Sequence, residues 1–234
     1  MTLQIEFIEE PARRTEIREI QLRLFRSQVP TEIVFKPHIE ACLMFCEPIS
    51  DDNDYLTKEK YETIVAAANH VGDPKFVVSQ PHGSLIDDPL TRWVYVKPED
   101  FKTHQYKVES KEFAKYWWCA EPPPYDEYLY MASGGMFDTA IYSMDASWGL
   151  YTMHECWTLV GGSIPFIRHV DKMYPAWRKE VITLLDDYPP DTITRDMPTI
   201  KLLLALLDYW KKWPADEWVE TLSAKLDARL TGGL

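Results

Sequence analysis

The sequence predicts an α+β fold: a mostly antiparallel sheet packed with helices, with a C-terminal helical hairpin. Three observations carry that expectation. Short blocks rich in β-branched and aromatic residues recur along the chain, and between 139 and 160 only short links separate them, which favours antiparallel pairing. Stretches with helical spacing, opened by Pro, Ser or Thr, lie between the blocks. The segment 191–234 reads as two amphipathic helices in succession. The expected organisation is an α+β core over 1–190, with a candidate sub-boundary at 121–124, and the hairpin over 191–234.

Each element follows from its local pattern. Leu3 to Glu9 alternates apolar and polar residues, the period of a half-buried strand. Pro11 suits a first helical turn, and Ile17, Ile20, Leu24 and Phe25 keep helical spacing as far as about Gln28. Pro30 ends that helix, and Glu32–Phe35 and Cys42–Phe45 read as buried strands. Ser50–Asp54 is a polar loop. It resembles the start of a calcium loop, but the sixth position from Asp51 is Leu56 where the EF-hand needs Gly. Thr57 is placed to cap a helix over Lys58–His70, with Tyr61, Ile64, Val65 and Ala68 inward.

Phe76–Val78 and Arg92–Val96 read as strands joined through a loop at Gln80–Ser84, and Pro98–Phe101 and Ser110–Trp118 read as helical. Glu121-Pro-Pro-Pro124 is stiff polyproline-type chain. Tyr128–Ala132 reads as a strand and Gly134-Gly135 as a turn. Thr139–Ser143, Trp148–Met153 and Cys156–Val160 follow as strands. Ser163 is placed to cap a helix running to about Met173, and Pro175 opens another that ends near Tyr188-Pro-Pro190. Pro198 begins a helix with Ile200, Leu203, Leu204, Leu207 and Trp210 on one face. Pro214 begins the last one, with Asp216 and Glu217 in its first turn, where the helix dipole favours acids, and Trp218, Leu222 and Leu226 inward.

Composition bounds the function. The 234 residues are 46% hydrophobic and 13% aromatic, enough for a substantial core. Lys and Arg number 25 against 37 Asp and Glu, a formal net charge of −12. Phosphate backbones and anionic membranes are held through cations, so nucleic acid and membrane are disfavoured as partners, and a basic protein is favoured. The first residues lack the apolar run of a secretory signal, and the longest aliphatic run, Leu202–Leu207, is far short of the ~20 residues of a membrane span. The expected location is cytoplasmic. Cys42, Cys46, Cys119 and Cys156 sit in apolar surroundings and are expected to be buried thiols.

From Tyr116 to Ile167 there is no Lys or Arg. The stretch holds Glu121, Asp126, Glu127, Asp138, Asp145 and Glu155 among many Tyr and Trp residues. One reading makes it the central sheet, with its rings as core. The other makes it a docking surface, because Tyr and Trp dominate binding hot spots and carboxylates attract Lys and Arg. Carried forward, the second reading places partner-binding residues at Tyr125, Asp126, Glu127, Tyr128, Asp138 and Asp145.

Catalytic signatures are weak. P-loop, G-x-G-x-x-G, G-x-S-x-G and H-E-x-x-H patterns are missing, and no catalytic residue, cofactor or metal site is expected. His154 and Cys156 share a strand face but are loosely placed for activating a thiolate. His169 and Asp171, two apart on a helix, point in different directions. Gly161-Gly-Ser163 before a helix has the form of an anion-binding nest, and equally of a tight turn with its cap. An enzyme would be sought there and at Asp138 with Asp145.

Trp148-Gly149, followed by Gly161-Gly162 and Phe166, resembles a W-G…G-G-x-x-x-F pattern of uncharacterised bacterial proteins, some of them immunity partners of secreted toxins. The match spans about 30 residues and transfers no functional residue. It implies a non-enzymatic acidic binding protein of the immunity type, directed at a basic toxin or another basic partner. The rival expectation is a small-molecule hydrolase or transferase using acidic residues.

Overall fold

In the computed structural model, residues 5–26, 33–46, 56–80, 115–132, 139–153, 157–186, 188, 193–194, 197–210 and 217–231 are described. Their strands are β1 (Ile5–Phe7), β2 (Ala41–Cys46), β3 (Phe76–Gln80), β4 (Lys115–Cys119), β5 (Thr139–Ser143), β6 (Trp148–Met153) and β7 (Trp157–Gly162). Their helices are α1 (Pro11–Leu24), α2 (Lys58–His70), α3 (Tyr125–Ala132), α4 (Ile164–Met173), α5 (Trp177–Leu184), α6 (Pro198–Trp210) and α7 (Glu217–Thr231). All strand pairs are antiparallel, in the order β1-β4-β3-β5-β6-β7-β2. The fold is α+β with helices at the C-terminal end.

Register decides which side chains share a face, since successive residues alternate. Trp118, Val77, Tyr142, Gly149, Gly161 and Cys42 line up across the sheet on one face. That face takes α1 and the chain just after it. Phe25 lies edge-on to Tyr142 and Tyr151, and the Arg13 guanidinium sits 5.7 Å from the Trp118 ring. The opposite face takes α4 and α5. Trp148 stacks on Phe166 at 5.0 Å, and Phe45 meets Tyr174 edge-on. The helix-covered sheet thus forms a core of three layers. β2 is an edge strand whose every residue is buried, because α5 and α6 cover it: Trp210 Nε1 donates to Cys42 O at 2.9 Å, and Cys46 N donates to Glu180 Oε2 at 3.2 Å.

Several elements match the pattern reading: β1, α1, β2, α2, β3, β5, β6, β7, α4 and α6 lie where periodicity placed them, within a few residues. Four expectations differ from the structure. Ser110–Trp118 was expected to be helical, but from Lys115 onward the chain is β4, paired on both sides; the β-preferring Tyr-Trp-Trp run prevails over the helix formers before it. Tyr128–Ala132 was expected to be a strand, but it is the second half of α3, begun just after Pro124 with Asp126 and Glu127 in its first turn. Glu32–Phe35 was expected to be a strand, but in its described part only a bridge between Phe25 and Phe35 remains, flanked by Arg26 N to Val34 O at 2.7 Å. The helix expected from Pro175 begins at Trp177 and ends at Leu184.

Val65, Leu204 and Trp218, expected inward, are only half-buried. Thr57 precedes α2 in extended geometry but makes no side-chain cap. Ser163 does cap α4, accepting from Phe166 N. Cys42, Cys46 and Cys119 are buried and form no disulfide, and burial pushes the Cys119 thiol up to about 12. The strand at 92–96, the helix at 98–101, the turn at 134–135, the loops at 50–54 and 80–84 (but for Gln80, in β3), and Pro214 and Asp216 lie outside the described residues. No helix among the described residues is long and apolar enough to cross a membrane.

Candidate functional site

Helix α3 and the prolines before it carry the sequence-predicted contact residues Tyr125 to Tyr128. The local fold is a mount built from tyrosines. Pro124 O accepts from Glu127 N at 3.1 Å and from Tyr128 N at 3.0 Å, which closes the first turn. Tyr61 of α2 donates to Pro123 O at 2.7 Å and stacks on Tyr128 at 4.5 Å. Tyr125 donates to Leu56 O at 2.8 Å, and the Tyr128 hydroxyl accepts from Leu56 N at 3.0 Å. Burial, reinforced by Cys119 and Tyr128, pushes the Tyr61 hydroxyl far above its ordinary value, so it stays a donor.

Of the residues expected at the docking surface, the two tyrosines are turned towards the protein. Tyr128, expected to face a partner, is 0% exposed, and Tyr125 is half-buried. Both rings hold α3 against α2 because each has a backbone partner at Leu56 that exposure would forfeit. Asp126 and Glu127 do face outward, as does Glu121 just before the prolines. None of these three carboxylates makes an ion pair or a side-chain hydrogen bond among the described residues.

Asp145 is placed elsewhere, in the turn between β5 and β6. Ser143 Oγ donates to Asp145 Oδ1 at 2.7 Å, and Ser147 N donates to the same oxygen at 2.9 Å. Ala146 between them has φ 61°, a left-handed residue imposed by the tight connection. Ser147 Oγ reaches across to Asp73 Oδ2 at 3.2 Å. The two carboxyls share Ser147 as a partner, and their affinities for protons part. Burial, then the Asp145 charge, raises Asp73 above the usual carboxylate range. Burial also works against Asp145, but hydrogen bonds from Ser143 and Ser147, with the neighbouring Asp73 carboxyl, overcome it and hold Asp145 low. Asp138, expected beside Asp145, lies outside the described residues, as do His154, Glu155 and Cys156.

Most other described rings of the base-free stretch turn inward. Tyr142, Trp148, Tyr151 and Trp157 are fully buried, while Trp117 and Trp118 are half-buried at the β4 position. The five residues of the W-G…G-G-x-x-x-F pattern serve packing here. A Cβ on Gly149 would lie 2.3 Å from Leu24 Cδ2, one on Gly161 2.6 Å from Phe35 Cε2, and one on Gly162 2.8 Å from Phe166 Cδ1. Helix α1, the Phe35 ring and the Trp148–Phe166 stack therefore all need a bare backbone beneath them.

No family model, no curated protein and no solved structure matches this chain.

The anion-nest reading of Gly161-Gly-Ser163 meets an occupant supplied by the chain: Ile164 N, at the start of α4, donates to Glu40 Oε2 at 3.0 Å. Asp171 accepts from Trp177 Nε1 at 2.7 Å and pairs with Arg178, while His169 stacks on His70 at 4.2 Å. Pattern reading missed one cluster. Lys60 is only 2% exposed; its Nζ donates to Cys46 O at 2.6 Å and lies 3.2 Å from Glu180 Oε2, whose other oxygen accepts from Tyr174. The signal was present, because Lys60 precedes Ile64 by four residues and so falls on the apolar stripe of α2.

Proposed function

We propose that this chain is a non-enzymatic binding protein that engages a basic protein partner, of the kind an immunity-type inhibitor meets in a basic toxin. The reading is supported above all by Glu121, Asp126 and Glu127, three outward carboxylates unpaired among the described residues and set on a mount that tyrosine hydrogen bonds hold still. A pre-organised ridge loses little ordering entropy on binding, and the net charge of −12 steers cationic partners towards it. The contact is carried by carboxylates rather than by rings. A pull-down from native lysate tests it: a basic protein is retained at low salt, released at high salt, and lost with Asp126→Lys/Glu127→Lys. Partners indifferent to that double reversal would refute the proposal.

A second reading, a small-molecule hydrolase or transferase, is favoured by one observation, the Asp73–Asp145 pair. Neighbouring carboxyls pushed apart in proton affinity are how an acid and a base are made from one residue type. Turnover of a panel of esters and phosphoesters that vanishes in Asp145→Asn would favour it over the binding reading.

A further inference from the structure

A cavity of about 560 Å³ opens where the chain just after α1, the 33–41 segment, the start of α4 and the end of α6 converge. Its size falls within the ~300–1,000 Å³ range of small-molecule sites. Its charge runs against that of the chain. In a protein of net charge −12, this groove is rimmed by three cations, Arg26, Lys36 and Arg168, and one acid, Glu40. One Glu40 oxygen already accepts from the α4 backbone at Ile164.

The cations are available. Lys36 and Arg168 make no side-chain hydrogen bond or ion pair among the described residues. Arg26 spends only Nε there, on Ile33 O at 2.9 Å, which fixes its guanidinium at the rim with the outer nitrogens left to donate. Between the cations the wall is apolar. Phe35 and Ile39 are buried, while Ile164, at 43% exposure, is one of the few large apolar side chains open to solvent among the described residues. Tyr209 stands at the α6 side, its hydroxyl donating to Ile39 O, which holds the groove's inner wall to that helix.

We propose that this groove binds a small amphipathic carboxylate. Its anionic head sits among Arg168, Lys36 and Arg26, and its chain or ring lies over Phe35, Ile39 and Ile164. Guanidinium groups pair carboxylates through two parallel hydrogen bonds, and the apolar wall accounts for the rest of the molecule. A cationic ligand meets three like charges, and a neutral alcohol gains the wall but not the head contact. The site is separate from the α3 ridge and stands or falls independently of it.

The test uses the full chain with labelled isoleucine methyl groups and three matched probes below their micelle concentrations: decanoate, decanol and decyltrimethylammonium. Decanoate is expected to bind saturably, shifting the Ile33, Ile39 and Ile164 signals, and to bind at least tenfold more tightly than either other probe. Arg168→Glu/Lys36→Glu, with unchanged circular dichroism, is expected to weaken decanoate at least tenfold. No saturable decanoate binding, shifts confined to other isoleucines, equal affinity for decyltrimethylammonium, or a folded double variant with unchanged affinity would each overturn the proposal. Should the double variant not fold, the comparison of the three probes on the unaltered chain still decides it.

Discussion

Replacing Gly161 by alanine adds one methyl group, and the structure sets what that methyl must meet. A Cβ there would lie 2.6, 2.7 and 2.8 Å from three carbons of the Phe35 ring, where ordinary contact begins at 3.4 Å. Three atoms of a flat ring cannot all retreat by a rotamer flick; the ring must translate by about 0.6–0.8 Å, the difference between those distances. Its retreat is restricted on one side, where Phe25 lies 5.4 Å away on α1's exit and is itself packed on Tyr142 and Tyr151. Overpacking of a well-filled core typically costs about 1–3 kcal/mol, and because Phe35 is backed by the Phe25 ring but also borders the groove, the lower half, about 1–2 kcal/mol, is expected. Urea unfolding followed by tryptophan fluorescence measures it. The decisive form is a double-mutant cycle with Phe35→Leu, which removes the obstructing ring carbons. The pair is expected to be less destabilised than the sum of the two singles by about 1 kcal/mol or more, the coupling usual for residues in contact. A Gly161→Ala loss below about 0.5 kcal/mol, or strict additivity in the cycle, would refute the steric account of the Gly161 position.

Lys60→Met removes the cation between Cys46 O and Glu180 and leaves Glu180 uncompensated; a loss of about 3 kcal/mol by denaturant titration is expected, partly recovered by adding Glu180→Gln. Asp73 has a raised proton affinity in the fold, so its contribution is complete below the unfolded value and fades as pH rises through the folded one, whereas Asp145, held low, contributes above the unfolded value and fades as pH falls. Asp73→Asn should therefore raise the melting temperature at pH 7 relative to the parent and change it little at pH 3; the reverse ordering would contradict the carboxyl pair. His169 is depressed by burial first and then by the facing His70 and by Lys172, so its contribution is present above the unfolded value and lost as pH falls. His70→Ala should move the His169 titration upward in NMR, and an unmoved midpoint would show that the stacked ring exerts no charge effect.

How much the sequence disclosed depends on how local each cause is. The Ser163 cap of α4, the stripe of α2 and the β5–β6–β7 meander have their determinants within a few residues, and pattern reading placed them. α3 was misread because five residues from Tyr128 carry no helical period; the better signal was the pair Asp126 and Glu127 after a proline, an acidic first turn. The outward carboxylates of the ridge were legible as a gap in Lys and Arg, but the inward tyrosines were not, since their partners, Leu56 and Pro123, are set by tertiary packing. The cationic groove was least legible of all. Arg26, Lys36, Arg168 and Tyr209 come from distant parts of the chain, and only the folded arrangement brings them to one rim.

Strand β2 ends one side of the sheet, and six apolar residues in a row there, Ala41 to Cys46, form a template that another extended chain could lengthen. Trp210 and Glu180 occupy two of its outward backbone groups, so helices α5 and α6 act as a stopper. Proteolysis that strips α6 would bare Cys42 O and convert a terminated sheet into a growing one. The first symptom of losing that helix would then be turbidity and fibril-dye uptake that scale with concentration, rather than a simple fall in stability.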